Sequence, residues 1–348
     1  MLAELIEACN PLSGHLQDNR ADVVATPFDQ TRVTPDDRTP RVVIAQALNV
    51  ALFADLLRRV PSGQAYVSTQ IAAGRQIILD HGAVRTVAWP TASAVPPGAE
   101  QVSRVLVPLG YSRRETYPLT RLRMTGYSYA HDDLSDDVSQ WFVSELHPDD
   151  FSPEFQQAVE RVIGSSVDPI DNETARRLDE LTAERSLATD DAIALMPALF
   201  SCFDRMHEGP LDTDYELLRS ESAEMAWIAT EGTAFNHATD RVDDVAATAE
   251  SERVAGRPIK NTVEVSGTGR VRQTAHRATL VDRLFRTSEG STISRLVPGS
   301  FFEFIDRQPL PDGSGIDLAF DAANAQGIFK MTSSKIDQDP DPDGNGLS

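Results

Sequence analysis

Cysteine is nearly missing from this 348-residue chain, which has Cys9 and Cys202 and no others. That excludes a disulfide framework and a zinc ribbon, and makes a reducing cytoplasm the expected setting. Lysine is almost as scarce, at Lys260, Lys330 and Lys335, although arginine is plentiful. Two causes fit this bias: a GC-rich genome, or a salt-loving host in which an acidic, lysine-poor surface stays dispersed. Basic charge is outnumbered, 32 Lys and Arg against 53 Asp and Glu, for a formal net charge of −21. This balance argues against nonspecific nucleic-acid binding, which needs clustered cations to replace phosphate counterions, and against docking on anionic lipid. No apolar run approaches the ~20 residues of a membrane helix. The first nine residues carry Glu4 and Glu7 and no basic side chain, so they lack the charged start of a signal peptide.

What is present is ordinary globular material, 41% hydrophobic and 24% charged. Residues 1–39 are polar and proline-punctuated and read as a loosely ordered leader. A catalytic unit is expected over 40–335, and the Asp/Pro/Gly-rich residues 336–348 read as a disordered tail. Apolar spacing predicts a strong helix over 42–59, stopped by Pro61, and a second over 67–79. Strands are predicted at 81–89, 111–117, 122–129 and 141–146, with a helix near 100–109. Residues 148–230 read as a helical insert. Strands return at 232–241, 262–265, 271–278, 294–296 and 301–306, with a helix over 242–255. A strand bearing His, then a helix, then several strands, occurs near His81 and again near His237. The class is therefore α+β, with two βαββ-type modules lining one cavity.

Three segments can carry chemistry. In Asp80-His81-Gly82-Ala83-Val84-Arg85, alternation puts His81 and Arg85 on one face, roughly 13 Å apart at ~3.3 Å per residue. Arg85 could clamp an anion there; equally, both could be exposed on an ordinary strand. His237 shares a face with Phe235, Thr239 and Arg241, as a metal ligand or as a core histidine bonded to backbone. Glu303 lies in the apolar run Phe301-Phe302-Glu303-Phe304-Ile305, where a carboxylate must be protonated, ion-paired or metal-bound. Two His and one carboxylate facing a cavity make the ligand set of non-haem Fe(II) oxygenases, but residues so far apart prove nothing by spacing. His276 is a weaker substitute ligand. His131 and His147 read as solvated. No phosphate-binding loop and no nucleophile elbow occurs.

These segments resemble the 2-oxoadipate dioxygenase/decarboxylase family, of the vicinal-oxygen-chelate superfamily. The resemblance rests on His-Gly-Ala-Val-Arg at 81–85, Ser-Glu-Leu at 144–146, Phe-Asn-His-Ala-Thr-Asp-Arg-Val at 235–242, Phe-Phe-Glu-Phe-Ile-Asp-Arg at 301–307 and Gly-Ile-Phe at 327–329. It spans about residues 42–333. It implies βαβββ modules around a metal cavity, Fe(II) held by His81, His237 and Glu303, and a substrate-carboxylate clamp at Arg85. It implies conversion of 2-oxoadipate and O2 to 2-hydroxyglutarate and CO2, in lysine catabolism, without a second oxo acid. One departure concerns specificity: Asn324 stands where the resemblance places a substrate-contacting Ser. Two other readings compete, a non-redox metal-dependent isomerase or hydrolase on the same fold, and a non-catalytic ligand-binding protein.

Overall fold

In the computed structural model of the protein, residues 1–9, 23–26 and 37–320 are described. Helix α1 (Leu2–Glu7) buries Leu2, Leu5 and Ile6 beside the long helix α2 (Arg41–Arg59). The first nine residues thus belong to the core, not to the loosely ordered leader expected there. Six residues are too few for periodicity to show, and so short a helix is held by burial rather than propensity. Strand β1 (Arg38–Pro40) feeds directly into α2. Pro61 sits in the first turn of α3 (Pro61–Ala72), where its missing N–H costs nothing. The predicted second helix thereby starts and ends earlier than expected. Gly74, at φ 72°, turns the chain out of it.

The first module runs β2 (Leu79–Val87), α4 (Glu100–Leu106), β3 (Tyr111–Leu119), β4 (Met124–His131) and β5 (Gln140–Leu146). The insert follows: α5 (Pro153–Ile163), α6 (Asn172–Glu184), β6 (Ser186–Ala188), α7 (Thr189–Ser201), α8 (Asp212–Glu221) and α9 (Ala223–Glu231). It departs from all-helix at β6, which pairs antiparallel with β1. The second module runs β7 (His237–Arg241), α10 (Val245–Val254), β8 (Glu264–Val265), β9 (Val271–Ala275), the hairpin β10 (Leu280–Arg286) and β11 (Thr292–Pro298), and β12 (Phe301–Arg307).

One eight-stranded sheet joins the modules in the order β3-β4-β5-β2-β7-β12-β9-β8. In each module the first strand lies parallel to the last, β2 to β5 and β7 to β12. The two first strands then meet antiparallel, with His81 opposite Thr239, Gly82 opposite Ala238 and Ala83 opposite His237. The chain is thus two like modules related by an approximate dyad at Gly82 and Ala238.

Alternation along β2 sends Gly82 and Val84 to one face and His81, Ala83, Arg85 and Val87 to the other. Val84 joins the core built on α1, α2 and α7. Ala83 and Val87 join a second core with Phe142, Phe155, Val159 and Trp227, so α5 and α9 of the insert roof the far end of the site face. Among the described residues, no helix is long and apolar enough to cross a membrane.

Candidate metal centre

Three strands bring together three side chains that sequence keeps far apart. His81 comes from β2, His237 from β7 and Glu303 from β12, and all are buried. The Nε2 atoms of His81 and His237 each lie 3.3 Å from Glu303 Oε2 and 3.3 Å from one another. Among the described residues, this is the one group of three or more His, Cys, Asp or Glu placed to share a metal ion. Thr239, opposite His81 in the register, donates its hydroxyl to Glu303 Oε2 at 2.7 Å.

The two imidazoles are oriented differently. His81 Nδ1 meets Asp80 Oδ1 at 2.8 Å, which leaves Nε2 facing the site. Asp80 is itself gripped by Arg307, whose Nε and Nη2 donate to it at 2.8–3.1 Å. Among the described residues His237 Nδ1 has no hydrogen-bond partner, and its ring is stacked on Phe301 at 4.8 Å.

Burial pulls the His81 pKa down, but the hydrogen bonds to Asp80 and Glu303 outweigh it, and the net shift is upward. Burial drives His237 to about 3, against the attraction of Glu303. Burial raises the Glu303 carboxyl, yet the two histidines and Thr239 bring it below the usual carboxylate range. Without a cation between them, these shifts favour the charged forms of Glu303 and His81 and the neutral form of His237. Glu303 Oε1 is buried with no hydrogen-bond partner among the described residues. A bound cation would satisfy this orphaned carboxylate oxygen. Two imidazole nitrogens and a carboxylate suit a divalent first-row metal with open positions.

Arg85 is fully buried on the same face, its guanidinium 4.9 Å from the ring centre of Trp227. Burial lowers it to about 10, partly offset by Glu224, so it stays a cation at neutral pH. It also lines a cleft together with Trp89, Gln101, His207 and Thr233. Asn324 lies outside the described residues. His276 is not a substitute ligand, because its Nε2 meets Glu252 at 2.9 Å in a separate buried pair. His131, expected in solvent, is buried, with Nε2 on the Leu109 carbonyl at 3.0 Å.

Sequence reasoning missed Asp80, Arg307, Gln140 and Phe320. Strict alternation points Asp80 away from His81. A bulge between Leu79 and His81 makes Asp80 the extra residue and lets it reach both His81 and Arg307. Gln140 lies opposite His81 on β5, and its buried Nε2 has no partner among the described residues. Phe320 sets its ring edge-on to His81 at 4.8 Å. Nothing in its sequence context signals that placement.

The chain is similar to known proteins in sequence and fold. The profile of the family described as 2-oxoadipate dioxygenase/decarboxylase matches residues 46–332. The rice (Oryza sativa subsp. japonica) 2-oxoadipate dioxygenase/decarboxylase, chloroplastic/amyloplastic, is 24% identical over 290 residues, 75% of this chain and 70% of the rice protein. A glyoxalase-superfamily protein from Ralstonia eutropha JMP134 is 47% identical, with a TM-score of 0.85 over 92% of this chain and 98% of its own. Hydroxyglutarate synthase from Oryza sativa, solved in complex with 2-oxoadipate, shares the fold at 20% identity and a TM-score of 0.65, over 89% of this chain and 97% of its own. Two vicinal-oxygen-chelate modules, a buried His-His-Glu cluster and a profile match over most of its length place the chain in the 2-oxoadipate dioxygenase/decarboxylase family.

Proposed function

We propose that this protein is an Fe(II)-dependent dioxygenase/decarboxylase that converts 2-oxoadipate, or a related 2-oxo dicarboxylic acid, and O2 to 2-hydroxyglutarate and CO2. The observation that carries the reading is the convergence of His81 Nε2, His237 Nε2 and Glu303 Oε2 beside the unpartnered Glu303 Oε1. His81, His237 and Glu303 would hold the metal. Ferrous iron bound there would supply the redox chemistry that couples O2 to an oxo acid. Atoms and electrons balance without a co-substrate, since both oxygen atoms of O2 end in the two products.

The chain's own residues supply placement. Asp80 fixes the His81 tautomer, and Thr239 holds one Glu303 oxygen in line. Arg85 offers a buried cation for the carboxylate remote from the reacting end. Phe320 packs on His81 and Phe301 on His237, with Phe142 against Phe320, and this apolar surround would exclude water. Asn324 is retained as a substrate contact on the family resemblance. A place in lysine breakdown follows from the same resemblance, while a cytoplasmic setting rests on the scarcity of cysteine.

Anaerobic protein loaded with Fe(II) and given 2-oxoadipate and O2 tests the reading. Equal losses of O2 and oxo acid, matched by 2-hydroxyglutarate and CO2, are expected. Iron binding without turnover of 2-oxoadipate would keep the triad and move the search to other oxo acids. No O2 uptake with any of them would favour a non-redox reaction, and no metal binding would favour a ligand-binding protein.

A further inference from the structure

Arg307 makes two sets of contacts that point in different directions. Its Nε and Nη2 grip Asp80, the carboxylate that orients His81. Its Nη1 donates to the carbonyls of Asp317 at 2.7 Å and Ala319 at 3.0 Å. Those carbonyls belong to residues 308–320, which cross the site after β12. The strap is further tied by Asp317 to Arg270 at 2.8 Å and by the Phe320 N–H to the Tyr117 hydroxyl at 3.1 Å. At Phe320 it lies against His81, with the ring 5.2 Å from the Arg307 guanidinium carbon.

A cation buried this completely loses hydration, so a fold that needed only packing would be served as well by an apolar residue. A planar guanidinium with donors on two edges can serve a carboxylate and a pair of carbonyls together; an ammonium cannot. Building on the metal-site reading above, we propose that Arg307 is a positioning residue that couples seating of the 308–320 strap to the orientation of His81. Holding Asp80 and holding the strap are then one event. Metal at His81 favours the seated strap, and a seated strap favours metal, by the same factor.

The test uses the full chain, Co(II) as probe with a competing chelator, and chymotrypsin digestion read by mass spectrometry at Leu318 and Phe320. Wild-type protein is expected to bind one Co(II) and to be cut more slowly in the strap when it is bound. Arg307→Lys is expected to lose roughly 10–100-fold in Co(II) affinity, the usual cost of removing support from behind a ligand. Its strap should be cut equally fast with and without metal. Tyr117→Phe disturbs neither Arg307 nor Asp80, and serves if the lysine variant does not fold. It is expected to speed strap cleavage and to weaken Co(II) binding.

Two results would overturn the coupling: Arg307→Lys with wild-type affinity and wild-type metal protection, or Tyr117→Phe with a loosened strap and unchanged affinity. Wild-type protein that binds no Co(II) would instead sink the metal-site reading, and this inference with it.

Discussion

Phe142 stands in the first module where Glu303 stands in the second. His81 lies opposite Gln140 and His237 opposite Phe301; two residues further along the parallel partner strands come Phe142 and Glu303. The fourth corner of the dyad-related site is therefore apolar. Gly126 makes room for it, since a Cβ there would come within 2.5 Å of the Phe142 ring. On the proposed reading the site takes both an oxo acid and O2, which needs open positions, and three ligands would leave them. Phe142→Glu is expected to keep or tighten divalent metal binding while O2 uptake with 2-oxoadipate falls steeply. Isothermal titration with Co(II), alongside an oxygen electrode, separates the two effects. Undiminished turnover would mean that this corner is not where substrates bind.

Arg85 shares the strand face of His81 but does not belong to the metal cluster. Arg85→Ala is expected to leave Co(II) affinity unchanged and to raise the KM for 2-oxoadipate roughly 10–100-fold. That range corresponds to the loss of about 1.5–3 kcal/mol from hydrogen bonds to a charged group. Arg85→Lys should recover little, because an ammonium cannot clamp a carboxylate in two places. A 2-oxo monocarboxylic acid of the same chain length should show no such difference between wild type and variant. If KM for the diacid is unmoved, the distal carboxylate binds elsewhere.

The elements that sequence made legible are those whose pattern is local. Helix α2 shows in the spacing of its apolar residues, and β12 in an apolar run interrupted by Glu303, whose buried charge called for a partner. What sequence hid is what depends on register. Asp80 and Arg307 are 227 residues apart, and only the bulge in β2 turns one toward the other. Strand β10 was missed because its outward face carries the exposed Leu280 and Leu284. Its inward face carries Arg283, paired with Glu231, and Phe285, so alternation gives no single polar side.

Asp240 makes the fold's response to pH testable. Its side chain is buried on the face away from the site, accepting from the Tyr66 hydroxyl at 2.7 Å and the Ile78 N–H at 3.0 Å. Burial, with Asp80 nearby, pushes it up to about 7 despite those two hydrogen bonds. Between about 4 and about 7 the folded chain therefore keeps a proton that the unfolded chain has lost. Its contribution to stability falls as pH rises through that window and is flat above it. Asp240→Asn carries no such proton and can bond both partners, so its stability should fall less over the same range. Urea unfolding midpoints for both proteins at pH 5, 6, 7 and 8 would show the curves separating as pH rises. Parallel curves would mean that Asp240 ionises normally.

Gly82, at the dyad, tests whether packing on one face governs the site on the other. A Cβ on Gly82 would fall 2.2 Å from Cζ of Phe235, an impossible approach. Phe235 cannot easily withdraw, since it is buried and set edge-on to Trp141 at 5.0 Å. Overpacking of this kind costs about 1–3 kcal/mol. Here the strain also has a direction, because the ring would push β2 away from β7, and those strands carry His81 and His237. Gly82→Ala is expected to lower the melting temperature and to weaken Co(II) binding together, though it touches no ligand. Adding Phe235→Leu to it should restore much of both, because the smaller side chain vacates the space the methyl needs. A double-mutant cycle in melting temperature and Co(II) affinity measures that coupling. Lost stability with unchanged metal affinity would show that the ligands keep their places even when the central pair of strands is strained.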